Sequence, residues 1–340
     1  MPTLALHPSA TVFVTGVNGL IGSHIADQLL ARGYHVRGAV RDVEKSGWLT
    51  EYFENKHKGA KFELTAVPDM TVEGCYDNVV KGADGFVHVA SPLTGTDPKV
   101  AIPIAVNGGL NALKAAAKTP SIKRVVYTSS SIASTFPKPN VEFSIDETSY
   151  NEEALKGVWD PPEDLKGLYI YAALKTETEK ALWKWVGENQ PNFVVNSVLP
   201  NANFGPVLVS EQQGAPSTIE WAKSAFTGEH FEMLAKRITP QWYIDTIDTA
   251  LIHVGALIYS DVSSERLFAF AEPFNWNQLL AVYRKIYPER RFPKDLEGLG
   301  VDRCRVPNER AEEVLRWVKD GGQGWTRLEE SLREMVRAFV

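Results

Sequence analysis

The sequence predicts an α/β protein, a doubly wound parallel sheet followed by a smaller, mostly helical C-terminal domain. Three observations carry this expectation. Strand-like and helix-like segments alternate from residue 11 to residue 199. The glycine-rich run Thr15-Gly16-Val17-Asn18-Gly19-Leu20-Ile21-Gly22 joins the first strand to the first helix. The alternation stops after Pro200, where loops, aromatics and later helices take over. Repeated strand-helix-strand units make a parallel sheet with helices on both faces, because each crossover lays its helix back on the sheet.

The elements follow in order. Residues 11–15 are β-branched and apolar, and in residues 20–32 Ile21, Ile25, Leu29 and Leu30 share one helical face. Gly33 stands where a helix stops, and residues 34–40 read as a second strand. Residues 61–67 read as a strand and 72–81 as a short helix. Residues 85–90 form an almost unbroken apolar run, as expected of a strand buried on both faces. An alanine-rich helix over 101–117, a strand over 123–128, a long helix over 168–188 and a strand over 193–199 complete the alternation. Residues 245–259 look helical, 265–270 strand-like, and 275–340 mostly helical with a polar insert around 293–307. The expected division is a dinucleotide-binding domain over 1–200, joined by 241–271, and a substrate domain from 201–240 and 272–340.

The 340 residues are 44% hydrophobic and 23% charged, ordinary for a globular chain with a large core. A net charge of −6 gives no reason to expect nucleic acid or an anionic membrane as partner. Two cysteines, Cys75 and Cys304, are too few for a disulfide scaffold and fit a reducing compartment. The first residues lack the basic start and apolar run of a signal peptide, and no stretch approaches the roughly 18 uncharged apolar residues of a membrane span. A cytoplasmic protein is expected.

The glycines at positions 16, 19 and 22 each have a physical use. The first permits a sharp turn, the second lets backbone approach a pyrophosphate, and the third allows close helix–sheet packing. Free N–H groups of the run Gly16, Asn18, Gly19, Leu20, Ile21 and Gly22, aided by the helix dipole, would hold the phosphates. The flanking strand, helix and second strand raise this from a turn to a Rossmann-type dinucleotide site. At the end of the second strand, where NAD binders place an acid, stands Val40, followed by Arg41. Arg41, with Lys45 one turn on, suits a 2′-phosphate, so the expected cofactor is NADPH/NADP+.

The strand over 123–128 runs into Ser129-Ser130-Ser131, and Tyr171 and Lys175 follow at i and i+4 on one helical face. Reduction of a carbonyl by hydride leaves an alkoxide that needs a proton. A phenol with a nearby ammonium can give it, and a serine hydroxyl can hold the developing charge. Ser130, Tyr171 and Lys175 are the expected catalytic set.

With these motifs in view, the sequence resembles the extended short-chain dehydrogenase/reductase family, and within it the branch of dihydroflavonol reductases and fungal or yeast NADPH-dependent aldehyde and ketone reductases. Its further marks are Asp69-Met70, His88-Val89-Ala90-Ser91-Pro92, Asn107, Pro200-Asn201 and Tyr243-Ile244-Asp245. The resemblance implies that Asp69 and Met70 line the adenine pocket and that Ala90, Ser91 and Pro92 run along the middle of the cofactor. It assigns Thr128, Tyr171, Lys175 and Pro200 to the nicotinamide half. It favours Ser130 over Ser129 and Ser131 as the catalytic serine, and takes Asn107 as the start of a central helix, with a structural or catalytic role. Its register puts Leu93, Ser130, Trp221 and Gln241 at the substrate, expected to be a bulky or aromatic carbonyl compound. A monomer or homodimer is expected.

Two rival readings are a sugar-nucleotide epimerase or dehydratase with tightly bound NAD, and a non-catalytic NADP(H)-sensing protein. His88 and His253 read as satisfied buried histidines, Asp245 and Asp248 as capping or ion-paired groups, and residues 303–313 as a solvated face. No metal cluster is expected.

Overall fold

The computed structural model describes residues 2–92 and 97–339. Along the chain run β1 (Thr11–Thr15), α1 (Leu20–Ala31), β2 (His35–Val40), α2 (Trp48–Lys56), β3 (Phe62–Ala66), β4 (Gly85–His88), α3 (Pro98–Ala117), β5 (Arg124–Thr128) and β6 (Glu142–Ser144). They continue with α4 (Glu152–Gly157), α5 (Lys166–Asn189), β7 (Val194–Pro200), β8 (Ala202–Phe204), α6 (Ser210–Gln213), α7 (Ile219–Thr227) and α8 (Phe231–Arg237). Then come β9 (Gln241–Asp245), α9 (Thr246–Ile258), β10 (Arg266–Ala269), β11 (Glu272–Phe274), α10 (Trp276–Ile286), β12 (Arg303–Arg305), α11 (Glu309–Val318) and α12 (Leu328–Val336).

Seven strands form one sheet in the order β10-β7-β5-β4-β1-β2-β3, and every pairing in it is parallel. The order reverses between β1 and β4. In open α/β sheets ligands settle in that crevice, outside the carboxyl ends of the strands. One face is buried under α1, α9 and α11, where Leu29, Leu257 and Val314 meet Val14 and Val126. The other meets α3 and α5 through Phe13, Phe86, Leu113 and Val195. α3 is long and apolar enough to cross a membrane by length and composition, but half of it is buried inside the fold as a core helix.

A second core gathers residues from beyond the sheet: Phe204, Phe226, Tyr243, Trp276, Tyr283 and Leu332. Two small sheets serve it and its borders. β9 lies between β11 and β8, and β12 pairs in parallel with β6.

Three expectations change. Residues 72–81 form a series of turns and no helix. Gly74 there takes φ +75, a left-handed value that interrupts α-helix, and the Asn111 amide of α3 ties up the carbonyls of Met70 and Val72 at 3.0 and 3.1 Å. Helix α2 was not anticipated, although Leu49 and Phe53, four apart, carry its buried face. The segment 201–240 holds a strand and three helices where loops were expected.

The glycine run shows why its spacing matters. Gly16 has φ +64, and a Cβ there would lie 3.1 Å from the backbone nitrogen of Ala90. A Cβ on Gly22 would sit 2.2 Å from the Gly16 carbonyl oxygen, deep inside contact distance. Gly22→Ala must therefore push α1 off the loop. The expected loss is about 2–4 kcal/mol of unfolding free energy, measured by urea titration.

Candidate active site

The phosphate loop opens onto the sheet's carboxyl edge. Gly19 caps α1 with no side chain, so its first-turn N–H groups carry no side-chain acceptor. Leu20 is buried in the second core and Ile21 packs against the first, so both serve as anchors for the backbone they carry. The Asn18 amide donates to Ser46 Oγ at 3.4 Å. Sequence reasoning missed a latch: Gln213 Nε2 donates to the Asn18 carbonyl at 3.2 Å and to Ser23 Oγ at 3.1 Å. His24 Nε2 meets the Pro206 carbonyl at 2.9 Å. The segment after β8 is thus fastened to the glycine loop by groups far away in sequence.

Thr15 pins the next strand end. Its hydroxyl accepts from the N–H groups of Val89 and Ala90 at 3.0 and 3.1 Å, leaving its proton for His88 Nδ1, 3.0 Å away. This holds Ala90, Ser91 and Pro92, all half-buried, beside Gly16. Leu93 lies outside the described residues.

At the far end of the loop, Val40 is buried and Arg41 is exposed at the tip of β2. Lys45 is also exposed, and its ammonium lies 3.7 Å from Asp42. Asp42 is occupied in the turn, accepting from the Lys45 N–H at 3.1 Å. Asp69 is exposed, and Thr71 holds its carboxylate at 2.7 and 2.8 Å, which lowers its pKa. Met70 packs on Gly108 of α3, where a Cβ would be 3.1 Å from its sulfur. Asn107 sits exposed inside α3, not at its start, which Asp97 caps. Asn111, one turn on, makes the bonds to the carbonyls of Met70 and Val72.

The three serines separate by role. Ser129 is buried and donates to Glu179 Oε2 at 2.7 Å. Ser130 caps the short helical turn Ser131–Ala133 and lies close enough to the Tyr171 phenol to favour its ionised form. Ser131 lines a small cavity beside that turn. Tyr171 is half-buried on α5. Burial raises its phenol above the ordinary value, and Ser130 opposes that rise.

Lys175 is buried, and its ammonium donates to the Thr128 carbonyl at 3.0 Å and lies 5.5 Å over the Tyr127 ring. Burial pulls its pKa down to about 8, and Glu179 resists the fall. Glu179 itself carries no exposed surface. Besides Ser129 it takes Ser197 Oγ at 2.6 Å and the Arg266 guanidinium at 3.0 and 3.1 Å. Pro200 is buried at the end of β7, paired with Ala269. Gln241 lines the same small cavity as Ser131. Trp221 does not join it; half-buried on α7, it packs against the second core.

His253 donates from Nδ1 to the Thr249 carbonyl at 2.8 Å, so Nε2 accepts the Thr128 hydroxyl at 2.8 Å. His88 and His253 are therefore satisfied buried histidines. Asp245 caps α9, and Asp248 pairs with Lys319 at 2.7 Å, as expected. The 303–313 face is solvated only in part, because Arg310 pairs with the partly buried Glu265. Among the described residues no group of histidines, cysteines and carboxylates is placed to hold a metal.

The NAD-dependent epimerase/dehydratase family matches residues 12–234 of this chain. The chain belongs to that family. Aldehyde reductase 2 of Sporidiobolus salmonicolor is 41% identical over 336 residues, covering 97% of this chain and 96% of the relative. Ketoreductase adrE of Penicillium rubens is 40% identical over 337 residues, covering 96% and 95%. Yeast methylglyoxal/isovaleraldehyde reductase Gre2, solved with NADPH, superposes with a TM-score of 0.81 at 27% identity, covering 96% of this chain and 97% of that one. The resemblance and fold class expected from the sequence agree with these relatives.

Burial also sets an acid limit on stability. The pKa of His253 falls from 6.5 to about 4 on folding, so the unfolded chain binds one more proton between those values. This contribution to stability is complete above pH 6.5 and is lost as pH drops toward 4. His253→Gln is expected to reduce the slope of unfolding free energy against pH by about 1.4 kcal/mol per pH unit near pH 5, read from urea titrations across that range.

Proposed function

We propose that the chain is an NADPH-dependent carbonyl reductase that converts an aldehyde or ketone into an alcohol. The observation that carries this reading is the grouping of Ser130, Tyr171 and the buried Lys175 at the edge where the glycine loop opens.

The residues fit the cofactor. Gly16 leaves a cradle against Ala90 that a side chain would fill, and exposed Arg41 stands where a 2′-phosphate needs a cation. Asn18 to Gly22 would hold the phosphates, Asp69 and Met70 the adenine side, and Thr128, Lys175 and Pro200 the nicotinamide half. Bound NADPH would supply the hydride. Tyr171, with its pKa raised, stays protonated at neutral pH and serves as the acid that gives its proton to the carbonyl oxygen. Ser130 orients that oxygen and stabilises its growing charge. Lys175, held by the Thr128 carbonyl, is placed to anchor the nicotinamide ribose. Buried Val40 at the end of β2 weighs against the epimerase alternative, and the Tyr171–Lys175 pair against a sensor without catalysis.

The substrate domain proposed for this reading is built on the second core, and the substrate is a bulky or aromatic carbonyl compound seated near Ser130 and Gln241. The protein works in the cytoplasm as a monomer or homodimer.

Two measurements test the reading. With an aryl ketone or a β-keto ester, Tyr171→Phe is expected to lower kcat for NADPH oxidation by about 10²–10⁴-fold. Full turnover in that variant removes the mechanism. Arg41→Ala is expected to weaken NADPH binding about tenfold in a fluorescence titration while leaving NADH binding unchanged.

A further inference from the structure

The small cavity beside the catalytic turn contains a group that the reduction does not use. Its walls include Ser131 and Ile132 from the turn after Ser130, Asn201 after β7, and Gln241 and Trp242 of β9. Asp302, from the polar insert just ahead of β12, joins Thr135, Pro137, Phe270 and Cys304 in the rest of the wall. Asp302 is only 5% exposed. One carboxyl oxygen accepts the Cys304 N–H at 2.8 Å. No cation pairs with it among the described residues, and its neighbour Arg303 turns to Glu142, 3.7 Å away. Burial accordingly raises the carboxyl's pKa.

A buried carboxyl without a cation is costly unless donors surround it. Among the described residues one hydrogen-bond donor reaches it, and Asp302 lies in the cavity wall. The space inside is ≈ 30 Å³, room for a hydroxyl-sized group and too small for a ring. An ammonium has three protons to place, and Asp302 is the one carboxyl in the wall. A hydroxyl needs one acceptor and can itself accept from Ser131, Asn201 or Gln241.

We infer that Asp302 is a specificity-determining residue that accepts a hydrogen bond from a hydroxyl on the substrate, so that hydroxylated aldehydes and ketones are preferred. The inference rests on the carbonyl-reductase reading and deepens it. Ser131 directly follows Ser130, so the hydroxyl proposed for this cavity is one carried close to the reacting carbonyl, as in an α- or β-hydroxy ketone. Bulk on the other side of the carbonyl lies outside this cavity.

Hydroxyacetone and butanone differ by a hydroxyl in place of a methyl and serve as the probe pair. The quantity read is the ratio of their kcat/KM values, in which differences in intrinsic reactivity cancel between variants. Asp302→Leu is expected to lower the ratio about tenfold, through hydroxyacetone, with butanone changed less than about twofold. Asp302→Asn keeps an acceptor for the Cys304 N–H and is expected to lower it about threefold, which covers the case in which the leucine variant does not fold. NADPH titration shows which variants hold the cofactor site. A ratio unchanged in the folded variants, or an equal loss for both ketones, overturns the inference and leaves the reductase reading standing. If wild-type protein oxidises NADPH with neither ketone nor with an aryl ketone, both fall together.

Discussion

The catalytic helix is held in place by one buried carboxylate. Glu179 has no access to water, and an isolated charge there would be prohibitively expensive. Four donors remove the difficulty: Ser129 from the end of β5, Ser197 from β7, and two guanidinium nitrogens of Arg266 from β10. Arg266 in turn donates to the carbonyls of Glu147 and Ser149 and to Ser134, and stacks 4.3 Å over Tyr150. Three strands and the loop after the catalytic turn are thereby fixed to one side chain of α5. Such an ion pair adds little to stability over an apolar replacement, but it permits one arrangement only. Because Glu179 lies one turn past Lys175 and two past Tyr171, that arrangement sets where both functional groups meet the sheet edge.

The same site depends on chain that comes from far away. Gln213 and His24 bind the segment after β8 to the glycine loop, and β12 reaches back to pair with β6 beyond the catalytic turn. Distant chain therefore braces both the glycine loop and the region beyond the turn after β5. Several buried polar groups beneath them are paired: the Thr128 hydroxyl meets His253, and Thr15 meets His88 and two backbone N–H groups, whereas Trp242 Nε1 finds no partner among the described residues. A shift in one layer would leave buried donors unmet, which is how packing so far from Tyr171 keeps its geometry.

Much of this was legible in the sequence where the signal is local. The glycine spacing fixes a backbone turn and a helix contact within eight residues, and Gly16 and Gly22 show both. Tyr171 and Lys175 share a face because helical periodicity says so. The failures have equally physical causes. Residues 72–81 carry a helix-like apolar pattern, but Gly74 turns left-handed and Asn111 captures the carbonyls a helix would need. Helix α2 was readable from Leu49 and Phe53 and was overlooked because the flanking residues are polar. Between 201 and 240, short elements owe their existence to the second core more than to their own periodicity.

The alternating architecture, the phosphate loop, the cation at the end of β2 and the residue types of a proton-delivering pair are readable along the chain. All of these are written in spacings of a few residues, where backbone geometry leaves little choice. Only the tertiary structure distinguished three adjacent serines, giving Ser129 to Glu179, Ser130 to Tyr171 and Ser131 to the cavity. It alone brought Gln213 to the glycine loop and Asp302 to the catalytic turn. Those placements depend on which distant groups are buried together and which donors they can satisfy, and no local pattern in the chain records that. The glycine loop and the Tyr171–Lys175 face come from the chain's own geometry; the partner of each buried polar group comes from the fold.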